Sequence, residues 1–416
     1  MARSSNETPL LPFRTAQCAA RKTGLKQASA LQVAGLFAGV GGVELGLRRA
    51  GHEAAMLCEI EQGARAVLAK RFAGIGVHDD VTTLKKLPAK VDLLTGGFPC
   101  QDLSQAGKTA GILDGSRSGL VTEVFRLVKG SQVPWVLLEN VPFMLKLDQG
   151  RAMEVLAEAF ETLGYKWAYR VVNSLAFGVP QRRERVLFLA SLAEDPRDVL
   201  FADEVPEPLS TPDPVGKVAC GFYWTEGLRG LGWATDAVPT LKGGSTIGIP
   251  SPPAIILTDG RVVTPDIRDA ERMQGFRAGW TSPASKVVRD SCRWKMVGNA
   301  VTVDVFEWVG KRLRKPDQIG RTVPGSPIQS GKGWPVAGWN VGQGRFGSSM
   351  SAFPIYRKRP PLEDWLRYPP KLLSVRATAG FLSRAEESDL RFPPRFLSSI
   401  RRHLGAVRAA EKPVKS

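Results

Sequence analysis

Short apolar runs alternate with segments of helical periodicity along the first half of the chain. The apolar runs are typical of buried strands, and the segments between them repeat apolar residues as amphipathic helices do. The predicted strands are residues 33–37, 54–58, 92–95, 135–139 and 186–190. The predicted helices are residues 43–50, 61–72, 120–128 and 153–163. This alternation predicts a parallel sheet with helices on both faces, where ligands bind at the carboxyl ends of the strands.

The pattern changes after about Glu194. Prolines interrupt regular structure at several positions between Pro206 and Pro214, and short segments punctuated by glycine and proline continue to about Pro265. Helical periodicity returns at residues 266–274, 301–313, 377–390 and 394–404. We predict an α/β domain over residues 31–193, completed by residues 295–314, and a smaller domain of strands and loops over residues 194–294. Residues 1–30 are predicted to form a flexible tail, and residues 315–416 a basic C-terminal extension.

Positive charge is concentrated at the two ends of the chain. The net charge of the 416 residues is +17, of which residues 311–416 carry +14 and residues 1–30 carry +4. A basic end on a near-neutral body is typical of polyanion binding, and a solvated tail is the alternative. Trp334, Trp339 and Trp365 alternate with arginines in the extension. Such mixing favours nucleic-acid contact over a small packed appendage.

Composition excludes several other classes of protein. No apolar run reaches the roughly 18 residues that a membrane span needs, and the polar N-terminus lacks the apolar core of a signal peptide. The five cysteines are widely spaced and odd in number, which argues against a disulfide framework. With only three histidines and no pair at ligand spacing, no metal site is predicted. These features fit a cytoplasmic protein.

A glycine-rich turn lies between the first predicted strand and the helix that follows it, with the sequence Phe37-Ala38-Gly39-Val40-Gly41-Gly42. Glycines let the backbone approach a ligand closely. Glu59 ends the next strand, where a carboxylate can bind ribose hydroxyls, and Asp80 follows the third unit, within reach of an adenine edge. Two acids near the ligand would repel a pyrophosphate. A nucleoside cofactor such as S-adenosylmethionine therefore fits better than NAD, the alternative.

Four further motifs carry polar chemistry. Cys100 lies in Gly96-Gly97-Phe98-Pro99-Cys100-Gln101, after a predicted strand and before a polar, glycine-punctuated stretch that is typical of an exposed loop. An exposed thiol in a reducing compartment favours reactivity, whereas a buried cysteine is the structural alternative. Glu139-Asn140-Val141 ends another strand, Gln181-Arg182-Arg183-Glu184-Arg185 precedes a strand, and Gly298-Asn299-Ala300-Val301 precedes a late helix. Each is ambiguous alone.

The order of these motifs resembles that of the DNA cytosine-5 methyltransferases, over about residues 33–314. The resemblance implies a Rossmann-like sheet dependent on S-adenosylmethionine, with a target-recognition domain over residues 194–294. It implies that the Cys100 thiolate adds to carbon 6 of a flipped-out cytosine, because carbon 5 cannot be attacked inside the stack. Glu139 would then act as proton donor at nitrogen 3, Arg185 would hold the cytosine carbonyl, and Arg183 would contact a backbone phosphate.

The resemblance also implies binding residues. Those expected at the cofactor are Phe37, Gly39, Gly41, Gly42, Glu59, Ile60, Asp80, Val81, Pro99, Leu120, Asn299 and Val301. Those expected at DNA are Gln101, Ser104, Arg183, Thr240 and Leu241. The expected partner is double-stranded DNA, and neither a metal nor a membrane is expected. A bacterial, nucleoid-associated monomer is expected, and two alternatives stay open: a restriction-modification pair with a cognate restriction endonuclease acting separately, or an orphan enzyme.

Three rival functions were weighed against this one. A zinc cytosine deaminase needs Pro-Cys-x-x-Cys, but Leu103 stands where the second cysteine would be. A tRNA methyltransferase on the same fold stays open, although the recognition segment and basic extension favour DNA. A catalytically inactive DNA-binding regulator would be expected to lack Cys100, Glu139 or Arg185, and all three are present.

Overall fold

The computed structural model describes residues 30–98, 119–209, 212–244 and 250–411. Within these ranges no helix is both long enough and apolar enough to cross a bilayer. The strands are β1 (Gln32–Leu36), β2 (Glu53–Cys58), β3 (Val77–His78), β4 (Leu93–Gly96), β5 (Trp135–Asn140), β6 (Lys166–Asn173), β7 (Gln181–Arg182), β8 (Glu184–Ser191), β9 (Cys220–Phe222), β10 (Ala234–Thr235), β11 (Val238–Pro239), β12 (Ala254–Ile256), β13 (Val262–Thr264), β14 (Ser326–Pro327), β15 (Ala337–Asn340), β16 (Phe346–Ser348) and β17 (Lys371–Leu372).

The helices follow the predicted order and extend it. They are α1 (Gly42–Arg49), α2 (Gln62–Arg71), α3 (Leu120–Ser131), α4 (Arg151–Thr162), α5 (Arg197–Leu200), α6 (Ile267–Met273), α7 (Cys292–Asn299), α8 (Val303–Arg314), α9 (Leu362–Trp365), α10 (Val375–Glu386) and α11 (Phe396–Glu411). Short 3₁₀ segments lie between several of them, including Pro142–Leu145 directly after β5.

The main sheet has ten strands in the order β14-β16-β15-β6-β8-β5-β4-β1-β2-β3. Strands β3, β2, β1, β4 and β5 are parallel, as the alternating pattern predicts. From β5 onward every pair is antiparallel. The expectation of a wholly parallel sheet is therefore wrong for its second half. The cause is the connection between β6 and β8, which is too short to hold the crossover that parallel neighbours need.

Side chains from alternate residues of the strands enter two separate apolar layers. On one face Leu36, Leu94 and Leu138 pack against α3 and α4. On the other face neighbouring residues of the same strands pack against α1, α2 and α8. Because both faces are covered, the parallel strands are apolar throughout, which is why short apolar runs predicted them well.

A second sheet of five strands has the order β10-β9-β12-β13-β17. Its first four strands come from the segment that the glycine and proline pattern set apart, and each is short. Helices α10 and α11 cover one face, with Phe381, Phe396 and Ile400 fully buried against Phe222. A two-stranded parallel pairing of β7 with β11 joins this region to the main sheet.

The residues after Arg314 contribute to both sheets, and this corrects the picture of an appended tail. Strands β14 to β16 extend the main sheet, and β17 closes the second one. Trp334 and Trp339 are 4% and 5% exposed, so neither indole can stack on a nucleic-acid base in this conformation. Trp334 packs against Trp167, and Trp339 against Phe201. The domain boundaries stay a prediction.

Several arginines of this segment pair with acids elsewhere in the chain, which accounts for part of its basic composition. The pairs are Arg321–Asp198, Arg345–Glu161, Arg357–Asp304, Arg359–Asp236 and Arg395–Asp213. Basic residues next to tryptophans here therefore reflect packing between distant segments as well as any attraction for DNA.

We expect a chain that ends at Arg314 not to fold. The truncation removes three strands from one sheet, and from the other it removes β17 and both covering helices. Exposing the apolar surface that these elements bury would cost more free energy than the roughly 5–15 kcal/mol by which domains are stable. Soluble yield and far-ultraviolet circular dichroism measure this. A soluble truncated protein with an unchanged melting temperature would show that the segment is an appendage after all.

Candidate functional site

Five strand ends meet at the carboxyl edge of the parallel half of the main sheet. Strands β1, β2, β4 and β5 end there, and β8 begins there because it runs antiparallel to β5. This geometry brings together side chains that are far apart in the sequence. Phe37 and Glu59 follow the first two strands, Glu139 lies at the end of β5, and Arg185 at the start of β8.

The glycine-rich turn is held against Glu59. Gly39 has a φ of 54°, and its N–H donates to Oε2 of Glu59 at 2.7 Å. The N–H of Glu61 donates to Oε1 of the same carboxylate at 2.8 Å. Two backbone donors thus fix the carboxylate, which is 8% exposed, and leave its remaining lone pairs for a ligand.

The last two glycines of the turn serve packing more than ligand approach. A Cβ on Gly41, whose φ is 81°, would overlap the Phe72 ring. A Cβ on Gly42 would lie 2.8 Å from Cγ2 of Val301. Gly41 is not among the residues that line the cavity described next, and its contact with a cofactor stays a prediction.

A cavity of about 410 Å³ opens beside this turn. Most of the residues expected at the cofactor line it: Phe37, Gly39, Glu59, Ile60, Asp80, Val81, Leu120 and Asn299. Gly42 and Val301 instead line a smaller adjoining compartment. The size suits a nucleoside with a short substituent. The structure therefore brings most of these residues to one cavity, and it divides the space into two parts that the sequence did not indicate.

Two further groups define the polarity of the cavity. Asp80 accepts hydrogen bonds from the backbone and hydroxyl of Thr82, at 2.9 and 2.8 Å, and these lower the pKa of its carboxyl. Burial, with the nearby charges of Glu59 and Asp80, raises the pKa of the Cys58 thiol to about 12. Cys58 lines the cavity yet stays protonated, so it is unsuited to nucleophilic attack.

One wall of the cavity was not predicted. Cys292, Lys295 and Met296 of α7 line it, together with Val288. Lys295 reaches across to Glu61, with 2.8 Å between Nζ and Oε1. The sequence could have indicated this wall. Asn299, which was expected at the cofactor, ends α7, so the preceding turns of that helix lie beside the same cavity.

Glu139 and Arg185 form an ion pair at the edge of the smaller compartment. Nε of Arg185 lies 2.7 Å from Oε1 of Glu139, and both side chains are largely buried. Oε2 of Glu139 faces Gly97, where an added Cβ would lie 3.2 Å away. Gly97 therefore leaves open space beside the carboxylate, one residue before Phe98 and three before Cys100.

Asn140 connects β5 to the segment that leads to Cys100. Its Nδ2 donates to the carbonyl of Phe98 at 3.0 Å, and its Oδ1 accepts from the N–H of Val141 at 2.8 Å. Sequence reasoning gave this asparagine no role. The first described segment ends at Phe98. Four residues expected at the site lie outside the described residues: Pro99, Cys100, Gln101 and Ser104.

Gln181, Arg183 and Arg185 are alternate residues of one extended segment, and each contacts a different set of partners. Arg185 pairs with Glu139, as described above. Nε2 of Gln181 donates to the Met273 carbonyl at 3.0 Å. Arg183 is 2% exposed and donates to the carbonyls of Leu241, Gly298 and Ala300, at 3.4, 3.3 and 2.7 Å. A guanidinium enclosed in this way cannot reach a phosphate in this conformation. The structure gives Arg183 the role of joining β8, α7 and the second sheet's region.

The pair expected at DNA in the recognition segment is only partly accessible. Leu241 is 2% exposed, and its N–H donates to Oε1 of Gln181 at 3.0 Å. Its side chain therefore faces the protein, which corrects its expected contact with DNA. Thr240 is exposed in part, and its hydroxyl donates to the Arg182 carbonyl at 3.0 Å. No group of three or more potential metal-ligating side chains occurs in the parts of the chain that the structure describes.

The sheet, the two-part cavity and the carboxylate–guanidinium pair form the candidate site of an α/β enzyme, and comparison with known proteins identifies its family. The family model for C-5 cytosine-specific DNA methylase matches residues 31–219. The Type II methyltransferase M2.BsuMI of Bacillus subtilis (strain 168) is 44% identical over 388 residues, 89% of this chain and 98% of that protein. The Type II methyltransferase M.Eco47II of Escherichia coli is 30% identical over 329 residues, 67% of this chain and 77% of that protein.

A solved structure supports the fold. The crystal structure of the S. pombe Dnmt2 methyltransferase, 18% identical, superposes with a TM-score of 0.50 and covers 68% of this chain and 97% of that one. The chain belongs to the C-5 cytosine-specific DNA methylases, and it is a DNA cytosine-5 methyltransferase. The α/β fold and the family predicted from the order of motifs are both confirmed.

Proposed function

We propose that this methyltransferase modifies cytosine through a covalent adduct with Cys100, using S-adenosylmethionine. The observation that carries the proposal is the Glu139–Arg185 pair beside Gly97, at 2.7 Å between Nε and Oε1. It stands where the described chain leads into Pro99-Cys100 and where the nucleoside cavity opens. The carboxyl group of Glu139, the cofactor cavity and Phe98, two residues before Cys100 in the sequence, thus lie at one edge of one sheet.

The proposed reaction uses these groups in turn. The Cys100 thiolate adds to carbon 6 of the cytosine, forming a carbon–sulfur bond and placing electron density on carbon 5. Glu139 supplies a proton toward nitrogen 3 as this density develops, and Arg185 keeps Glu139 in place and faces the base carbonyl. After carbon 5 has taken the methyl group, it loses its proton to water. The C5–H electron pair re-forms the C5=C6 double bond as the carbon–sulfur bond breaks and Cys100 leaves as thiolate, and the proton on nitrogen 3 returns to Glu139.

S-adenosylmethionine fits the residues that line the cavity. Glu59 presents a fixed carboxylate for ribose hydroxyls, Asp80 lies at the far side for an adenine edge, and Ile60 is 68% exposed for an apolar contact with the base. When bound, this cofactor supplies an electrophilic methyl group. NAD fits less well, because a pyrophosphate would lie among three carboxylates, those of Glu59, Glu61 and Asp80.

Replacing Glu59 with alanine is expected to weaken the binding of S-adenosylhomocysteine by about tenfold or more, since hydrogen bonds to charged groups contribute about 1.5–3 kcal/mol. Isothermal titration calorimetry measures the dissociation constant. Glu53→Ala, at the exposed opposite end of β2, is the matched control and should bind normally. An unchanged dissociation constant for Glu59→Ala would mean that the ribose lies elsewhere.

Duplex DNA is the proposed substrate, in which the target cytosine leaves the stack to reach Cys100. The second sheet's region, joined to the main sheet through β7 and β11, is the proposed target-recognition domain. We further propose a cytoplasmic, nucleoid-associated monomer that protects a specific DNA sequence alongside a separate restriction endonuclease. The names of the Type II relatives support this last point.

The substrate is tested by methyl transfer from tritiated S-adenosylmethionine to duplex DNA and to tRNA in parallel. We expect incorporation into DNA alone, and bisulfite sequencing of DNA from a methylation-free host that expresses the protein should show one short protected sequence. Incorporation into tRNA and not into DNA would overturn the substrate proposal while leaving the chemistry of the site intact.

A further inference from the structure

The smaller compartment beside the cofactor cavity contains a buried carboxyl group that the reaction above does not use. Glu44 lies in the first turn of α1, is 3% exposed, and lines this compartment together with Phe37, Gly97 and Asn299. The carboxyl group of Glu44 packs closely against Gly35 of β1, and any Cβ at that position would overlap its Oε1. The hydroxyl of Thr95 on β4 donates to the same oxygen at 3.3 Å.

The two carboxyl oxygens of Glu44 differ in their hydrogen bonding. Within the described ranges, Oε2 is buried and has no hydrogen-bond partner, and no cation forms an ion pair with Glu44. Leaving a buried acceptor without a partner costs about 1–3 kcal/mol, so such a group indicates a missing ligand. Of the two other carboxylates nearby, Glu59 accepts from two backbone N–H groups. Glu139 has Arg185 as its ion-pair partner, although its Oε1 also lacks a hydrogen bond of good geometry.

Geometry restricts what this ligand is. The compartment has a volume of about 60 Å³, far smaller than the cofactor cavity of about 410 Å³, so it suits a short polar substituent or a few waters better than a base. It shares Phe37, Gly39, Gly97 and Asn299 with the larger cavity, so the two are continuous. With the ribose at Glu59, as proposed above, this continuity lets the 5′ substituent extend into the compartment. In S-adenosylmethionine that substituent carries an ammonium group.

We propose that Glu44 binds the amino-acid ammonium group of the cofactor and thereby positions the transferable methyl group. The proposal rests on S-adenosylmethionine being the cofactor. Burial, together with the charge of Glu59, raises the pKa of Glu44 to about 7, so an arriving cation would complete its ionisation. The charged groups that face it are Glu59 from β2, and Glu139 with Arg185 from β5 and β8.

A binding cycle tests the pairing directly. Calorimetry compares S-adenosylhomocysteine with the analogue in which hydrogen replaces the amino group, on the wild type, on Glu44→Gln, and on Glu53→Gln as control. We expect the wild type and the control to prefer the amino ligand by about tenfold or more, and Glu44→Gln to bind both ligands equally. A preference that Glu44→Gln keeps in full would overturn the proposal, even though S-adenosylhomocysteine binds.

A second measurement needs no variant, which matters if Glu44→Gln fails to fold. At pH 6.5 the free Glu44 is mostly protonated, so binding of S-adenosylhomocysteine to the wild type should release more than about half a proton. The release is obtained from the dependence of the binding heat on buffer ionisation enthalpy. The deaminated analogue should release almost none. Equal release by both ligands would contradict the assignment, and binding of neither would instead refute the proposed cofactor.

Discussion

Cys100→Ala is expected to lower methyl transfer to DNA by at least about 10⁴-fold, as loss of a covalent nucleophile commonly does. Carbon 5 of cytosine is a poor nucleophile, and it gains electron density only when a thiolate has added to carbon 6. Cys58, which lines the cavity, cannot substitute by this chemistry, since burial keeps its thiol protonated with a pKa of about 12. Tritiated methyl incorporation at saturating cofactor measures the loss.

Cofactor binding distinguishes this outcome from misfolding. The cavity is lined by residues of β1, β2, α3 and α7, so Cys100→Ala should bind S-adenosylhomocysteine with a dissociation constant within about twofold of the wild type. Cys18→Ala, outside the region matched by the family, is the control for loss of a thiol and should stay active. Retention of normal methylation by Cys100→Ala would end the covalent mechanism.

Glu139→Gln is expected to lower the rate of methyl transfer by about 10²–10⁴-fold, the usual contribution of general acid catalysis. Glutamine keeps the size of the side chain and can still accept a hydrogen bond from Arg185. It cannot deliver a proton to nitrogen 3, so the negative charge that follows thiolate addition is left on the ring. Single-turnover methyl transfer measures the chemical step itself.

The control for Glu139→Gln is Glu123→Gln on α3. That carboxylate also pairs with an arginine, Arg126, at 2.6 Å, but the pair is solvent-exposed and far less buried than Glu139–Arg185. Exposed pairs contribute little, so this variant should keep its rate within about twofold. If both variants lose activity equally, the loss of rate in Glu139→Gln is not specific to the site, and the proton-donor role is wrong.

Sequence patterns predicted the parallel half of the main sheet because its signals are local. Strands β1, β2, β4 and β5 are buried on both faces and appear as short apolar runs. Strand β6 was missed for the opposite reason. It contains Arg170, which is fully buried and donates to the carbonyls of Leu200, Asp203 and Ser351. An arginine in a core strand is favourable only when distant carbonyls surround it, and the local sequence does not show them.

The residues of the site also fall into two groups, those that the local sequence predicts and those that it does not. The glycine-rich turn, Glu59 and Glu139 were predictable, because each ends a strand whose carboxyl end must lie at the shared edge of the sheet. The burial of Arg183 was not, since its acceptors come from Leu241, Gly298 and Ala300, 58 to 117 positions away. Trp334 and Trp339 misled for a related reason: the chain returns to the sheet after Arg314.

The role of Cys100 is tested most directly by trapping the adduct in cells. A host expressing the protein is grown with 5-aza-2′-deoxycytidine, whose ring nitrogen at position 5 blocks release of the thiol, so the target sequence need not be known. DNA-linked protein is digested and its modified peptides are identified by mass spectrometry. We expect to find the nucleotide on the peptide that contains Cys100. Methylated DNA with the nucleotide attached to another residue, or to none, would contradict it.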